Sequence, residues 1–581
     1  MIFRAARFSL LCVLCAPVVN CFSLDREAFT FTNYDLNAQI EPEQHRLAVR
    51  GKITLRNDSA QPQKNAVLQI SSSLDWRSIK AGDKALQFVS QIYTSDIDHT
   101  GALSEAIVAL PQPIPAKGTF ELDIGYEGVI VRDATRLTRI GTPEATANAT
   151  DWDQISAEFT AVRGSGYVAW YPIATDAANL SEGNNLFDVL GRWKKREAES
   201  SMKVNLERPN LLDEAAATLM LCNGNRMNQA PTSANVTAIQ VGCTYKPLGL
   251  SVPTFISGNY SVQDRGAVRV HFLQPHSSEA ENYLSAAEKV EPLVAAWFAG
   301  AHDKAAHEKA EVVELPEPGA APFESGNLLL TRFGNDSKLA QISLAHTLTH
   351  ASFTSPRPWI YEGLAHFAQA LYLEQQSGRQ AALDYMGLHR AAFVNAEKPD
   401  ALPRSEDAVD HSLINTTIEE LYRGKAMYVW WMLRDMIGEA ALKKALAAYH
   451  PDKDKEPSYL PHLIAAQTPR DLEWFLDDWI FRDRGLPDFR VVSAFPRRLL
   501  PEGYMVTITV ENLGAAGAEV PVTVRFKGGA VTKRLEVRGK NKAVTRVEVP
   551  QLPQEIVVND GSVPESDTSN NTFKIQTEES K

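Results

Sequence analysis

The stretch "LAHTLTHASFTSPRPWIYEG" spans residues 344–363, and its reading decides what the rest of the chain is built around. Apolar residues and two histidines recur at helical spacing up to about Ser352. The link Thr354 to Pro358 breaks the pattern, and a second helix is expected from about Trp359 through Leu373. His346 and His350 are four apart, so on a helix both project from one face and can turn ring nitrogens toward one ion. Two histidines on an amphipathic helix also pack as ordinary half-buried side chains, and a zinc centre needs a third ligand from elsewhere. Glu362 is a candidate, because antiparallel helices joined by a short link bring the start of the second near the end of the first. A carboxylate in that first turn also suits the positive end of a helix without any metal.

Outward from this pair the pattern divides the chain in three. Tyr34, Leu36, Ala38 and Ile40 alternate, Glu41-Pro42-Glu43 turns, and Leu47, Val49, Ile53 and Leu55 follow before Asn57-Asp58-Ser59, which reads as a β-hairpin. Similar runs, such as Phe120-Leu122-Ile124 and Val268-Val270-Phe272, continue to about residue 265. Near residue 278 the period changes, and Tyr283, Ala287, Val290, Val294 and Trp297 fall on one helical stripe. Helices then dominate to about 485. The histidine helix is announced by Asn335-Asp336-Ser337, any of which could cap it, and another helix runs from Tyr422 to Met436 with Gly438 as its stop. After Gly485-Leu486-Pro487 alternation returns in Val506-Ile508-Val510, Val522-Val524-Phe526 and Leu535-Val537, a sandwich of immunoglobulin-like size. In this last region the acidic residues Asp560, Glu565 and Asp567 could hold calcium, but a surface turn is the simpler reading.

The amino terminus places Arg4 and Arg7 ahead of the apolar run Phe8 to Val19, the order of a secretory signal and too short to span a bilayer. The expected organisation is therefore multidomain α+β. It comprises a signal peptide over 1–23, a mostly antiparallel β domain over 24–265, a mainly helical domain over 266–486 and a β-sandwich over 487–581. The mature protein is expected to be exported, to the periplasm or the medium. Of five cysteines, removal of the signal leaves Cys222 and Cys243, and an oxidising compartment favours one disulfide over two unrelated buried thiols.

With 581 residues, 44% hydrophobic and 22% charged, the composition is that of an ordinary globular protein. A net charge of −12 with scattered Lys and Arg argues against a nucleic-acid partner. The densest basic cluster, Arg192 to Arg196, is followed by Glu197 and Glu199 and reads as a solvated edge.

The order Glu324, His346-x-x-x-His350, Trp-x-x-Glu362-Gly and Tyr422 resembles the aminopeptidase N family of gluzincin zinc peptidases. "NYDLNAQIEPEQHRLAVRGKITLRNDS" (33–59) is similar to that family's opening β segment, "APFESGNLLL" (321–330) to its Gly-x-Met-Glu-Asn segment, and "LYRGKAMYVWWMLRDMIG" (421–438) to its Tyr-x-Lys-Gly-Ala helix. The resemblance implies a thermolysin-like central domain and one zinc per chain held by His346, His350 and Glu362. It further implies Glu324 as the partner of a substrate's free α-amino group and Tyr422 as a donor to the oxyanion. Taken alone, Tyr422 could merely pack and Glu324 could be an ordinary loop acid.

Two departures matter. Only eleven residues, Ala351 to Tyr361, separate the second histidine from the glutamate, fewer than the family's usual spacer. The position after the first histidine, where the family has its general-base glutamate, is Thr347. A hydroxyl cannot take up and return a proton near neutral pH, and general acid–base catalysis is typically worth about 10²–10⁴-fold. His366, Glu314 and Glu317 are the stand-in bases the sequence offers. Two functions remain: a peptidase acting on or binding peptide amino termini with hydrolysis weakened or lost, or a non-catalytic peptide- or protein-binding or assembly protein on a peptidase scaffold.

Overall fold

A computed structural model describes residues 24–183, 185–209, 218–227, 238–298, 309–317, 319–334, 336–397, 412–482 and 484–575. The signal peptide read over 1–23 and the cap candidate Asn335 lie outside these residues.

The hairpin read at the start of the chain is the centre of an eight-stranded sheet. Phe29–Glu41 pairs antiparallel with Arg46–Asn57, and on its other side parallel with Ser201–Pro209. Tyr34, Leu36, Ala38 and Ile40 all point into one core, as period-two alternation requires. A three-stranded sheet of Gln63–Ser71, Ala102–Ile114 and Phe88–Thr94 supplies Ala66, Leu68, Ile70, Leu103, Ala106 and Val108 to the same core. The β region also holds a helix that alternation did not reveal, Asn185–Glu197. Its Trp193 is buried, so the cluster Arg192 to Arg196 is one face of a packed helix and not a plain solvated edge. Cys222, ending the strand Thr218–Cys222, is bonded to Cys243 in Ala238–Tyr245, which ties a small three-stranded sheet to the large one.

A five-stranded mixed sheet follows, in the order Ser261–Arg265, Val268–Phe272, Ala310–Glu314, Leu328–Thr331, Phe323–Ser325. Its last strand is an edge strand, returned by a turn in which Gly326 takes a φ of 62°, a left-handed conformation that suits glycine. The stripe Tyr283, Ala287, Val290, Val294 and Trp297 lies buried on the helix Ser277–Phe298, which packs on the sheet and on the histidine helix.

The histidine helix is Ser337–Ser352, and the carboxylate of Asp336 accepts from the Lys338 and Leu339 backbone N–H groups as its cap. The glutamate helix is Pro358–Ser377, with proline in its first turn. The five-residue link between them is pinned: Phe353 stacks on Tyr449, Ser355 meets the Tyr449 hydroxyl at 2.9 Å, and Arg357 pairs with Asp454 at 2.7 Å. Those contacts close the short spacer. Behind them run the helices Arg379–Ala396 and Ala426–Ile437, the latter entered through a wide π turn, Leu421–Lys425, and stopped at Gly438.

Seven strands end the described chain in two sheets. Phe489–Arg498, Tyr504–Asn512 and Lys542–Val549 form one; Ala518–Phe526, Gly529–Val537, Pro553–Val558 and Thr572–Lys574 form the other. Val506, Ile508 and Val510 face Val520, Val522 and Val524 in a shared apolar core. Glu565 turns inward, accepting from the Asn559 and Asn571 amides and the Phe489 N–H, and Asp560 pairs with Arg379. Both acids serve the fold as turn and contact residues.

Candidate metal centre

Three side chains meet where the two helices face each other. His346, His350 and Glu362 are all buried, and one ligand atom from each lies within 4.8 Å of the others. His346 and His350 come to one face through their i,i+4 spacing, with ring centroids 4.6 Å apart and planes at 89°. The His350 ring is held by stacking on Tyr361 at 3.9 Å. Nε2 of His346 stands 3.7 Å from Oε2 of Glu362, and Nε2 of His350 stands 3.7 Å from Oε1.

Those separations are too long for hydrogen bonds. Two ligands of one tetrahedral zinc stand about 3.3–3.5 Å apart, given metal–ligand distances near 2.0–2.2 Å. Among the described residues, Nδ1 of His350 and both ring nitrogens of the neighbouring His366 have no hydrogen-bond partner. Two neutral imidazoles and a carboxylate are a donor set zinc accepts, so the residues fit the metal.

Glu324 projects from the edge strand Phe323–Ser325, whose Phe323 and Ser325 are buried on the opposite face. Its Oε1 lies 2.8 Å from Nδ1 of His346, off the line of an N–H bond, so that contact is Coulombic. The same Oε1 accepts a hydrogen bond from the Thr347 hydroxyl at 2.5 Å. Thr347 also lies 3.1 Å from the Ser343 carbonyl, a back-bond along its own helix. The threonine is fully buried and fixes the glutamate beside the first histidine.

Tyr422 sits on the wide turn, buried, and feels the charges of Arg423, Glu419 and Glu362. Burial drives its phenol far above the usual value, so it stays protonated and able to donate. Arg423, next to it, was not singled out by the sequence reading. Its Nε donates to Oε2 of Glu362 at 2.9 Å, and its other arm pairs with Glu419. The signal for it was the exchange of Arg423, Gly424 and Lys425 against the family's Lys-Gly order, visible as a difference but mute about direction. Lys194 also approaches, from the helix Asn185–Glu197: it lies within electrostatic reach of Glu419, Arg423 and Glu362, and burial lowers its ammonium.

The electrostatics follow from this packing. Burial would raise the Glu362 carboxyl, but Arg423 and the two histidines hold it well below the carboxylate range. Burial would lower His346, yet Glu324 and Glu362 outweigh it and push the ring up to about 9. His350 is pulled down to about 3 by burial and by the charge on His346. Near neutral pH the metal-free cluster thus holds its proton on His346 and leaves His350 neutral.

Of the stand-in bases, Glu314 is engaged elsewhere, accepting from the Leu273 N–H at 2.7 Å and meeting His276 at 2.5 Å, and Glu317 pairs with Arg132. Only His366 lies beside the centre, its ring 4.9 Å from that of His346.

No family model and no curated protein matches this chain. Among solved structures it is similar to an M1 zinc metallopeptidase from Deinococcus radiodurans, solved as a mutant bound to a Tyr-Ser-Ala substrate. That likeness is at 16% identity, over 80% of this chain and 96% of that one, with a TM-score of 0.43. It is also similar to aminopeptidase A of Legionella pneumophila, solved with aspartic acid, at 15% identity and a TM-score of 0.56, over 93% of this chain and 59% of that one. Over 93% of its length the chain shares the fold of that aminopeptidase A structure.

Proposed function

We propose that this is an exported protein that holds zinc through His346, His350 and Glu362 and binds the amino-terminal end of peptides, with hydrolysis weakened or lost. The observation that carries the reading is the convergence of two imidazoles and one carboxylate, from two short-linked helices, on a single buried point. Zinc bound there would act as a Lewis acid on a peptide carbonyl. The edge strand Phe323–Ser325 offers the backbone groups with which an extended peptide pairs. Glu324, with its second oxygen clear of hydrogen bonds among the described residues, is the carboxylate for a peptide's ammonium group. Tyr422 would donate to developing negative charge. The division at 265 and 486, and the roles of a thermolysin-like central domain and an immunoglobulin-like sandwich, belong to the same proposal.

The weakened chemistry rests on Thr347. Its hydroxyl donates to Glu324 and is too weak an acid and too weak a base to shuttle a proton near neutral pH, and Glu314 and Glu317 are occupied at a distance. The same observation favours a second reading, a non-catalytic peptide- or protein-binding protein on this scaffold. The purified mature protein should carry about one zinc per chain, and metal analysis finding none after zinc incubation would remove the ion. Aminoacyl anilides should turn over negligibly, and Thr347→Glu should raise the rate. Strong turnover by the unaltered protein, abolished in His350→Ala, would show that another base exists.

A further inference from the structure

The helix Asn185–Glu197 brings a cation to the centre for which the proposed function has no use. A Cβ on its Gly191 would meet Thr417 at 2.6 Å, and Lys195 donates to the Asn415 carbonyl at 2.8 Å, so this face of the helix lies on the segment leading into the Leu421–Lys425 turn. Lys194, one turn after Gly191 and next to Lys195, is set by that packing within electrostatic reach of Glu419, Arg423 and Glu362. It is half-buried, and among the described residues it makes no hydrogen bond and no ion pair. Arg423 has already taken both neighbouring carboxylates, Glu362 through Nε at 2.9 Å and Glu419 through its other arm. Drawing an ammonium out of water without a partner costs free energy. The helix is packed through Leu186, Val189 and Trp193, none of which needs a charge at position 194.

We propose that Lys194 receives a carboxylate of the bound peptide, so that the centre selects peptides with a negative charge close to their amino terminus. The inference rests on the reading that Glu324 takes the peptide's ammonium group. Glu324 lies against His346, whereas Arg423 lies against Glu362 with Lys194 near both, so an anion attends one ligand residue and cations attend another. The anions of an unmodified peptide are carboxylates, and a carboxylate on an ammonium makes a charge-assisted hydrogen bond. Two sources supply one. The terminal carboxylate of a dipeptide follows the first carbonyl by a single residue, about 3.3–3.6 Å of extended chain, and an aspartate or glutamate in first place carries one on its side chain. A lysine suits either, since its compact charge rides on a flexible stem and does not demand the fixed geometry of an arginine fork. Thr347 bears on whether a held peptide is cut; Lys194 bears on which peptide is held.

The test uses the full mature chain with zinc added, titrated calorimetrically with four peptides of free amino terminus. Ala-Ala against its carboxamide reads the terminal carboxylate, and Glu-Ala carboxamide against Gln-Ala carboxamide reads a side chain. In at least one pair the charged member should bind about tenfold tighter or more, the size of a charge-assisted hydrogen bond, and the pair that shows it identifies the source. Lys194→Gln should abolish that preference. A lysine with only a structural role would shift all four affinities together. Equal binding of charged and uncharged members by the unaltered protein, or a preference that survives in Lys194→Gln, overturns the proposal. If Lys194→Gln does not fold, Lys194→Met, which keeps the apolar stem, carries the same comparison. If none of the four peptides binds, the amino-terminus reading fails and this inference with it, whereas binding without a preference overturns this inference alone.

Discussion

Arg423 donates to Glu362 across 2.9 Å, so the carboxylate already has a cation beside it when no metal is present. Arg423→Ala leaves that buried carboxylate short of a partner, and should destabilise the metal-free protein by about 1–2 kcal/mol, since Arg423 is itself partly solvated. Denaturant melts with and without zinc check this: the loss should shrink when the ion takes over the neutralisation. A second buried carboxyl tests pH. Burial raises Glu197 from 4.5 to about 8 against the hydrogen bonds from the Phe31 N–H and the Ser200 hydroxyl. The folded state therefore keeps a proton that the unfolded state has lost between those values, and stability falls as pH rises from about 4.5 to about 8. Glu197→Gln should flatten that part of the stability profile, read by chemical denaturation at pH 5 and pH 8. At this scale the sequence was legible where spacing alone sets direction, as for His346 and His350. Arg423 was not, because its aim depends on the wide turn at Leu421–Lys425, and nothing in "LYRGK" announces the extra residue in that turn.

The histidine helix depends on one cap. Asp336→Ala removes the acceptor for two backbone N–H groups and should cost about 1 kcal/mol, measured by denaturation. The glutamate helix depends on a close approach: a Cβ on Gly363 would stand 2.7 Å from the Ala426 Cβ and 3.0 Å from the Trp430 ring nitrogen. Gly363→Ala should therefore push the helix away from Ala426–Ile437, destabilise by about 1–3 kcal/mol, and weaken zinc binding because Glu362 is the preceding residue. Chelator competition reads the second effect. Helical stripes and hairpins were legible in the chain because their contacts are local. The five-stranded sheet was only partly so: Val268–Phe272 pairs with Ala310–Glu314 across a whole helix, and no local period encodes a parallel neighbour. The helix Asn185–Glu197 was missed because its charged face concealed the buried positions Leu186, Val189 and Trp193.

Over the whole molecule the Cys222–Cys243 bond reaches further than its own sheets. The next residue, Asn223, donates to the Ser325 hydroxyl at 2.9 Å, and Ser325 adjoins Glu324. Replacing both cysteines by alanine should lower stability by about 3 kcal/mol for a loop of this length, in thermal or denaturant unfolding. The helix Asn185–Glu197 makes a second crossing. Its Gly191 leaves no room for a side chain, since a Cβ there would come within 2.6 Å of Thr417, and Lys195 donates to the Asn415 carbonyl at 2.8 Å. Thr417 lies five residues before Tyr422 and six before Arg423. The opening β region is thus one jaw of a vice whose other jaw is the helical half. A fragment cut free near residue 266 would lose the anvil against which the Tyr422 turn is pressed, so the centre cannot be transplanted as a helical cassette.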